Sequence, residues 1–539
     1  MKFHLLTRRA KAMLACGCAG LALSLGLATT AEAAPSSISP PSTDATQNGV
    51  GEIIVTAQKR SQNQQDVPIS LTAVTTQALA ANRIVSVVDL NTVVPNLAVR
   101  PTAGGALLPA FTMRGITSYG VVPGSDKEVS VYIDGVYISA PVGSSLDLPE
   151  IAQIEVLRGP QGTLFGRNAT VGAVSVITRD PPNAFGLDQE FTYGNYRQLR
   201  SKSRIDTGSF GDFSASLSFV HDERRGDIKN LGAGTTLTYP ASSGYPATLV
   251  SPKYLGDKNL NTVFAALKYA RGGFKVVNKF DYTSDHYSPT GAAVVGVNAS
   301  PLALGPAGAG FLNLVLATQT APPSFVTDGK RPDDVNNSFT MPAYARIWGD
   351  SLTASYQATN QLSFKNILAF RSFYVRATNQ LDGLGGLTVT PALASFIPGF
   401  APIVGSPFEV LSIQQTTRSH QLSEEFQANY NSRLLALTAG VLYFHDKGTG
   451  GGPTGLPNDI VLSAIPFGNF AFLGALPSRA HYAETSLAAY GQTEVHVTPQ
   501  IDLVGGLRVS NDKRSGFYVS SRAIPYANYN RLGHPIPSA

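Results

Sequence analysis

The 539-residue chain is only 14% charged, carries 52 glycines and 35 prolines, and has a formal charge of +5. Four of its cations (Lys2, Arg8, Arg9, Lys11) and Glu32 belong to a leader; without it the 41 basic and 36 acidic residues become 37 and 35, too even a balance for a nucleic-acid footprint. Both cysteines, Cys16 and Cys18, also lie in the leader, which removes disulfides and thiolate metal sites from the remainder.

Residues 1–33 read as a secretory signal: a basic start, an apolar run from Met13 to Ala28, and a small-x-small cleavage site at Ala31-Glu32-Ala33. Residues 34–50, rich in Ser, Pro and Thr, read as a flexible tether. Within 51–60, Glu52-Ile53-Ile54-Val55-Thr56 is a short β-forming island in polar surroundings. It fits a strand that adds to a partner's sheet edge, and equally the first strand of the domain that follows.

Residues 61–182 form one mixed α+β unit. Val67–Leu71 and Phe111–Ile116 read as strands, and Thr76–Arg83 and Val85–Asn91 as short helices. Val129–Ser139 is a hairpin signal, with Asp134-Gly135 as its two turn residues. Ile151–Arg179 reads as strand, glycine-rich excursion, strand, with Gly159, Gly162, Gly166 and Gly172 as punctuation. The spacing is neither GxGxxG nor GxxxxGK[ST], and no helical pattern follows. The glycines therefore serve tight bends and close backbone approach.

Beyond residue 182 the pattern has period two. Phe213, Ala215, Leu217 and Phe219 alternate with Ser214, Ser216 and Ser218; Ile501, Leu503, Leu507 and Val509 alternate with Asp502, Arg508 and Asp512. Short turns near 208–212, 271–273, 359–361, 431–433 and 498–500 alternate with long connections near 224–258, 287–349, 379–409 and 447–483. After the leader no apolar run is long enough for a membrane helix, so an exported β-chain with this rhythm is either a soluble β-protein or a transmembrane barrel, and the rhythm favours the barrel.

The segment EIIVTAQKR resembles the TonB box of TonB-dependent outer-membrane receptors. VPIS, VPNL, FTMRGI, VYIDGVY and IEVLRGPQGTLFGRNATVGAVSVITR follow the plug domain of that family in order, with Val171 standing where the family has glycine. The resemblance covers about residues 51–514. It implies a mainly β protein whose N-terminal α+β plug sits inside an antiparallel transmembrane β-barrel over residues 183–539. The family uses about twenty-two strands. About eleven are readable here, with a loop-like tail from Ser515, which suggests an N-terminal fragment or a truncated product.

The implied function is energised uptake across the outer membrane of a Gram-negative bacterium. The expected cargo is a ferric siderophore, with cobalamin, haem, an oligosaccharide or an aromatic compound as alternatives, or no cargo for a truncated inactive copy. Glu52, Ile53, Ile54, Val55, Thr56 and Ala57 are the expected TonB-binding residues, with ExbB/ExbD as the motor, outer-membrane lipid around a monomer, and no nucleic acid. A plug latch of Arg114 and Arg158 against Glu425 is expected, since Glu424 and Glu425 fall in a run resembling the family's SQELR segment. A signalling receptor would need a further domain ahead of the box, a passive porin would need neither plug nor box, and a soluble adhesive protein would be recovered from the medium. The histidines His221, His286, His420, His445, His481 and His496 are scattered, without HExxH or GxSxG, so no enzyme, cofactor or metal site is expected.

Overall fold

The computed structural model describes residues 53–102, 105–118, 126–140, 150–238, 248–294, 330–396, 412–450, 459–467, 470–476, 478–498, 500–520 and 524–525, with short pieces at 310, 313–318, 401 and 404–405. The expected signal, the tether and Glu52 lie outside the described residues.

Two β-systems build the fold. The first is the plug. Ile54–Val55 (β1) pairs with Gln62–Asn63 (β2). Ser70–Thr75 (β3) runs into a short helix, Thr76–Ala81 (α1), capped by the Thr75 side chain at the Ala78 N–H. Leu97–Thr102 (β4), Gly105–Met113 (β5) and Ile116–Ser118 (β6) make a three-stranded sheet. Val129–Ile133 (β7), Val136–Tyr137 (β8), Ile151–Arg158 (β9) and Gly172–Thr178 (β10) join β3 in a five-stranded sheet of order β3-β9-β10-β7-β8. Only the β10–β7 pair is parallel. The Asp134-Gly135 turn forms as expected, both residues at positive φ (50° and 86°). Between β9 and β10 the chain inserts one helical turn, Gly162–Phe165 (α2), closed by Gly166 at φ 81°.

The strand expected over Phe111–Ile116 is broken. Arg114 and Gly115 are its hairpin turn, at φ 51° and 82°. Arginine rarely adopts the left-handed region, so composition pointed to a continuous strand.

The second system is one antiparallel meander of eleven long strands. They are Phe185–Gly194 (β11), Gln198–Phe210 (β12), Phe213–Arg224 (β13), Lys258–Arg271 (β14), Phe274–Tyr287 (β15), Met341–Gln357 (β16), Leu362–Gln380 (β17), Ser412–Asn431 (β18), Leu435–Gly450 (β19), Ser478–Thr498 (β20) and Ile501–Ser520 (β21). Asp459–Phe467 and Phe470–Leu476 form a smaller hairpin off this path. The strand number is as expected, but the strands are longer, the last running to Ser520 rather than Arg514. A span needs about 9–11 residues of tilted strand, so strands of 16 to 21 residues project beyond the hydrocarbon. The long connections also carry more structure than expected, including the helix Pro391–Phe396.

The meander is turned inside out relative to a soluble sandwich. Leu217, Leu267, Leu352, Leu368, Phe426, Leu487 and Leu507 are 40–71% exposed, while Ser216, Ser218, Thr262, Asp281, Thr283, Arg371, Gln421 and Glu425 are buried. Apolar outside and polar inside is the pattern of a sheet with lipid on one face and a polar interior on the other. The plug lies against that polar face. Its core (Leu90, Met113, Val131, Ile154, Val156, Val174) is continuous with Ile347, Phe373 and Val375 of β16 and β17. Ser139 and Tyr137 of the plug bond Gln421 of β18. Among the described residues no helix is long and apolar enough to cross a membrane, which says nothing of crossing by strands.

Candidate functional site: the docked segment 53–60

β1 is only two residues long and its hydrogen bonds alone would not hold it. Burial does. Val55 and Ala57 are almost wholly excluded from solvent, packed with Val67, Tyr132, Leu157 and Ala173, with Ile53 and Phe165 beside them. At about 25 cal/mol per Å² of apolar surface, two small buried side chains contribute roughly 2–3 kcal/mol, so the docking is reversible on that count.

Polar contacts fix the register. The Thr56 N–H donates to Glu155 Oε1 at 2.7 Å and its hydroxyl to the same oxygen at 3.2 Å. Gln153 Nε2 donates to the Ile54 carbonyl at 3.1 Å and to Glu155 Oε1 at 3.0 Å. Glu155 sits in β9 between Ile154 and Val156 and is itself fully buried. Burial pushes its carboxyl above the usual range, and the Thr56 and Gln153 bonds oppose that shift.

Two cations follow at once. Lys59, held at φ 60° by a turn in which its N–H donates to the Thr56 carbonyl at 2.9 Å, places Nζ on Glu425 Oε1 of β18. The same ammonium lies 4.9 Å from the Tyr490 ring centroid, and the Tyr490 hydroxyl donates to Glu425 Oε1 at 2.6 Å. Burial pulls the Lys59 pKa down, against the pull of Glu425. Arg60 Nη2 meets Glu494 Oε2 of β20 and donates to Gln58 Oε1 at 3.0 Å. Thr56, Lys59, Arg60, Glu425 and Glu494 line one cavity of about 1550 Å³ at the short-turn end of the sheet.

The expected latch is therefore corrected. Glu425 does take a cation, but the cation is Lys59. Arg158 instead donates to Thr72 Oγ1 at 3.1 Å inside the plug, and Arg114 is spent on the β5–β6 turn with its guanidinium against Gly159. Lys59, Arg60, Glu155, Tyr490 and Glu494 went unread as site residues. The one local signal was the Lys-Arg pair directly after an apolar island.

Further ties join plug and sheet. Glu150 accepts from Arg204 Nη1 of β12 and from Ser218 Oγ of β13 at 2.8 Å, and Arg204 forks onto Asp206 at 2.8 and 2.9 Å. Lys279 of β15 bridges Asp134 at 3.1 Å and Asp180 at 3.0 Å. Inside the plug, Lys127 is buried with Nζ 3.3 Å from the Ile138 carbonyl, and burial pulls its pKa down to about 7, with Asp446 opposing. Between pH 7 and 10.5 the unfolded chain holds a proton on Lys127 that the fold releases. Raising pH across that window thus stabilises the fold, on the order of 1 kcal/mol per unit at most. Urea titrations at pH 7 and pH 9 are expected to show that gain, and Lys127→Met to flatten it.

Residues 63–173 match a family model, the TonB-dependent receptor plug domain. The chain is 28% identical over 182 residues to a vitamin B12 transporter of Vibrio vulnificus, a match covering 32% of this chain and 28% of that protein. It is 34% identical over 113 residues to the catecholate siderophore receptor Fiu of Escherichia coli, covering 20% and 14%. Among solved structures it superposes on the ferric yersiniabactin uptake receptor FyuA of Yersinia pestis with a TM-score of 0.58 at 20% identity, covering 87% of this chain and 59% of that one. For the ferric-catecholate import receptor Fiu the TM-score is 0.59 at 16% identity, covering 89% and 64%. The chain thus spans less than two thirds of each of these relatives. Residues 63–173 thus form a plug domain of the TonB-dependent receptor kind, and the eleven-strand sheet that follows has the fold of part of the barrel in these solved receptors.

Proposed function

We propose that the chain serves energised uptake of a ferric siderophore, with residues 52–57 as the strand that TonB, driven by ExbB/ExbD, takes up in the periplasm. The observation that carries this reading is the docked segment. A β-forming strand held by two small apolar side chains and two ion pairs to different barrel strands is a handle that comes away without unfolding the plug sheet. Cargo bound elsewhere acts only through different affinity for the docked and released states. A ferric siderophore is favoured by the receptors this fold matches, and the Vibrio transporter makes cobalamin the second reading. The protein works as a monomer, its outward apolar residues facing lipid.

The test is site-specific disulfide cross-linking in cells between Ile54→Cys, in a Cys16→Ser/Cys18→Ser background, and a single-cysteine TonB. Cross-linking is expected to rise severalfold with a ferric siderophore. Adding Val55→Pro, which deletes an N–H that strand addition needs, is expected to abolish it. Cross-linking raised by cobalamin alone moves the cargo to the second reading. Cross-linking indifferent to Val55→Pro refutes strand pairing.

A further inference from the structure

We propose that Glu494, His496 and Asp502 form a binding site for a divalent transition metal of the zinc class, and that this metal competes with Arg60 for Glu494. Glu494 and His496 are two residues apart on β20 and so share a face. Asp502 on β21 is the register partner of His496 across the turn. His496 Nδ1 and Asp502 Oδ1 are 2.7 Å apart, and one ligand atom from each of the three residues lies within 4.8 Å of the others. Zinc binds such donors at about 2.0–2.2 Å, which sets neighbouring donors of a tetrahedral site about 3.4 Å apart. Side-chain adjustments of about 1 Å therefore suffice. One imidazole and two carboxylates, without sulfur, suit zinc and its neighbours better than magnesium or calcium, which take oxygen alone. Glu494 is buried, His496 half-buried and Asp502 exposed, so the ion enters from the solvent side and keeps water in its remaining positions.

A cation already occupies part of this space: the Arg60 guanidinium on Glu494. Guanidinium and metal need the same carboxylate oxygens, so each weakens the other. By linkage, metal favours release of Arg60, and release of Arg60 favours metal by the same factor. The metal site stands on its three side chains alone; its consequence for segment 53–60 rests on the uptake reading above.

The experiment uses the untagged full chain in detergent micelles, in the Cys16→Ser/Cys18→Ser background, without TonB or cargo, so its failure leaves the uptake reading untouched. Calorimetric titration with zinc is expected to show one site. His496→Gln and Asp502→Asn are each expected to weaken it at least tenfold, and Arg60→Gln to tighten it severalfold. Cobalt(II) is expected to give a visible ligand-field band that His496→Gln removes. Unchanged zinc affinity and cobalt spectrum in His496→Gln and Asp502→Asn overturn the site. Unchanged affinity in Arg60→Gln overturns the competition.

Discussion

Glu425→Ala is expected to raise the thiol-labelling rate of a chain carrying Val55→Cys by roughly a hundredfold or more. Position 55 is wholly buried, so in the parent the reagent reaches it only when segment 53–60 undocks. The Lys59 and Glu425 side chains are 12% and 6% exposed, and removing one partner of a buried pair costs about 3–5 kcal/mol because the other is left charged and uncompensated. That is about two to three and a half decades in the opening equilibrium. Tyr490 loses its acceptor in the same variant. Lys59→Met combined with Glu425→Leu removes both charges, and is expected to return most of the protection, since a buried pair and its apolar replacement are often close in energy. A labelling rate that does not move in the single variant refutes Lys59 as the latch. A double variant as reactive as the single one shows that loss of packing, not of charge, opened the segment.

Much of the fold was legible because period and turn chemistry are local. The Asp134-Gly135 hairpin, the β9–excursion–β10 unit and the sheet strands each announce themselves within about fifteen residues. Val171, which stands where the family's plug has glycine, costs nothing visible. Its N–H donates to the Glu128 carbonyl, its carbonyl accepts from Gly159, and its side chain joins the plug core. What failed locally failed for a stated reason. The Arg114-Gly115 turn hides behind a residue that rarely takes positive φ, and the strands outrun their membrane-crossing part because nothing in alternation marks where lipid ends.

The site was less legible because its pairs are remote in sequence. Lys59 reaches Glu425 across 366 positions and Arg60 reaches Glu494 across 434. Glu425 could be singled out as a barrel carboxylate, but which cation reaches it depends on where the plug lies against the wall. Glu155 alternates with Ile154 and Val156, and period alone puts it on a polar face. It is buried because residues 55–57 lie over it, a tertiary fact that alternation cannot carry.

The second large effect concerns the plug sheet that segment 53–60 rests on. Gly172 opens β10, between Arg158 of β9 and Val129 of β7. A Cβ there meets the Met113 sulfur and the Leu157 carbonyl oxygen well inside contact distance. The carbonyl belongs to the β9 backbone and cannot rotate away, and Met113 is itself fully buried. Overpacking costs of about 1–3 kcal/mol are ordinary, and a clash with sheet backbone puts Gly172→Ala at about 3 kcal/mol or beyond. Hydrogen-exchange protection in β9 and β10 is expected to fall by roughly a hundredfold, with the long strands β14–β17 unchanged. Gly115→Ala is the control. It has positive φ and open space around it, so only backbone strain of about 1 kcal/mol applies, and its effect is expected to be under tenfold. Adding Met113→Ala to Gly172→Ala relieves the sulfur contact but leaves the carbonyl and opens a cavity in the core, so protection is expected to stay low. Full recovery would mean that β9 had moved aside, and that the close backbone approach implied by the glycine is not what holds this sheet together.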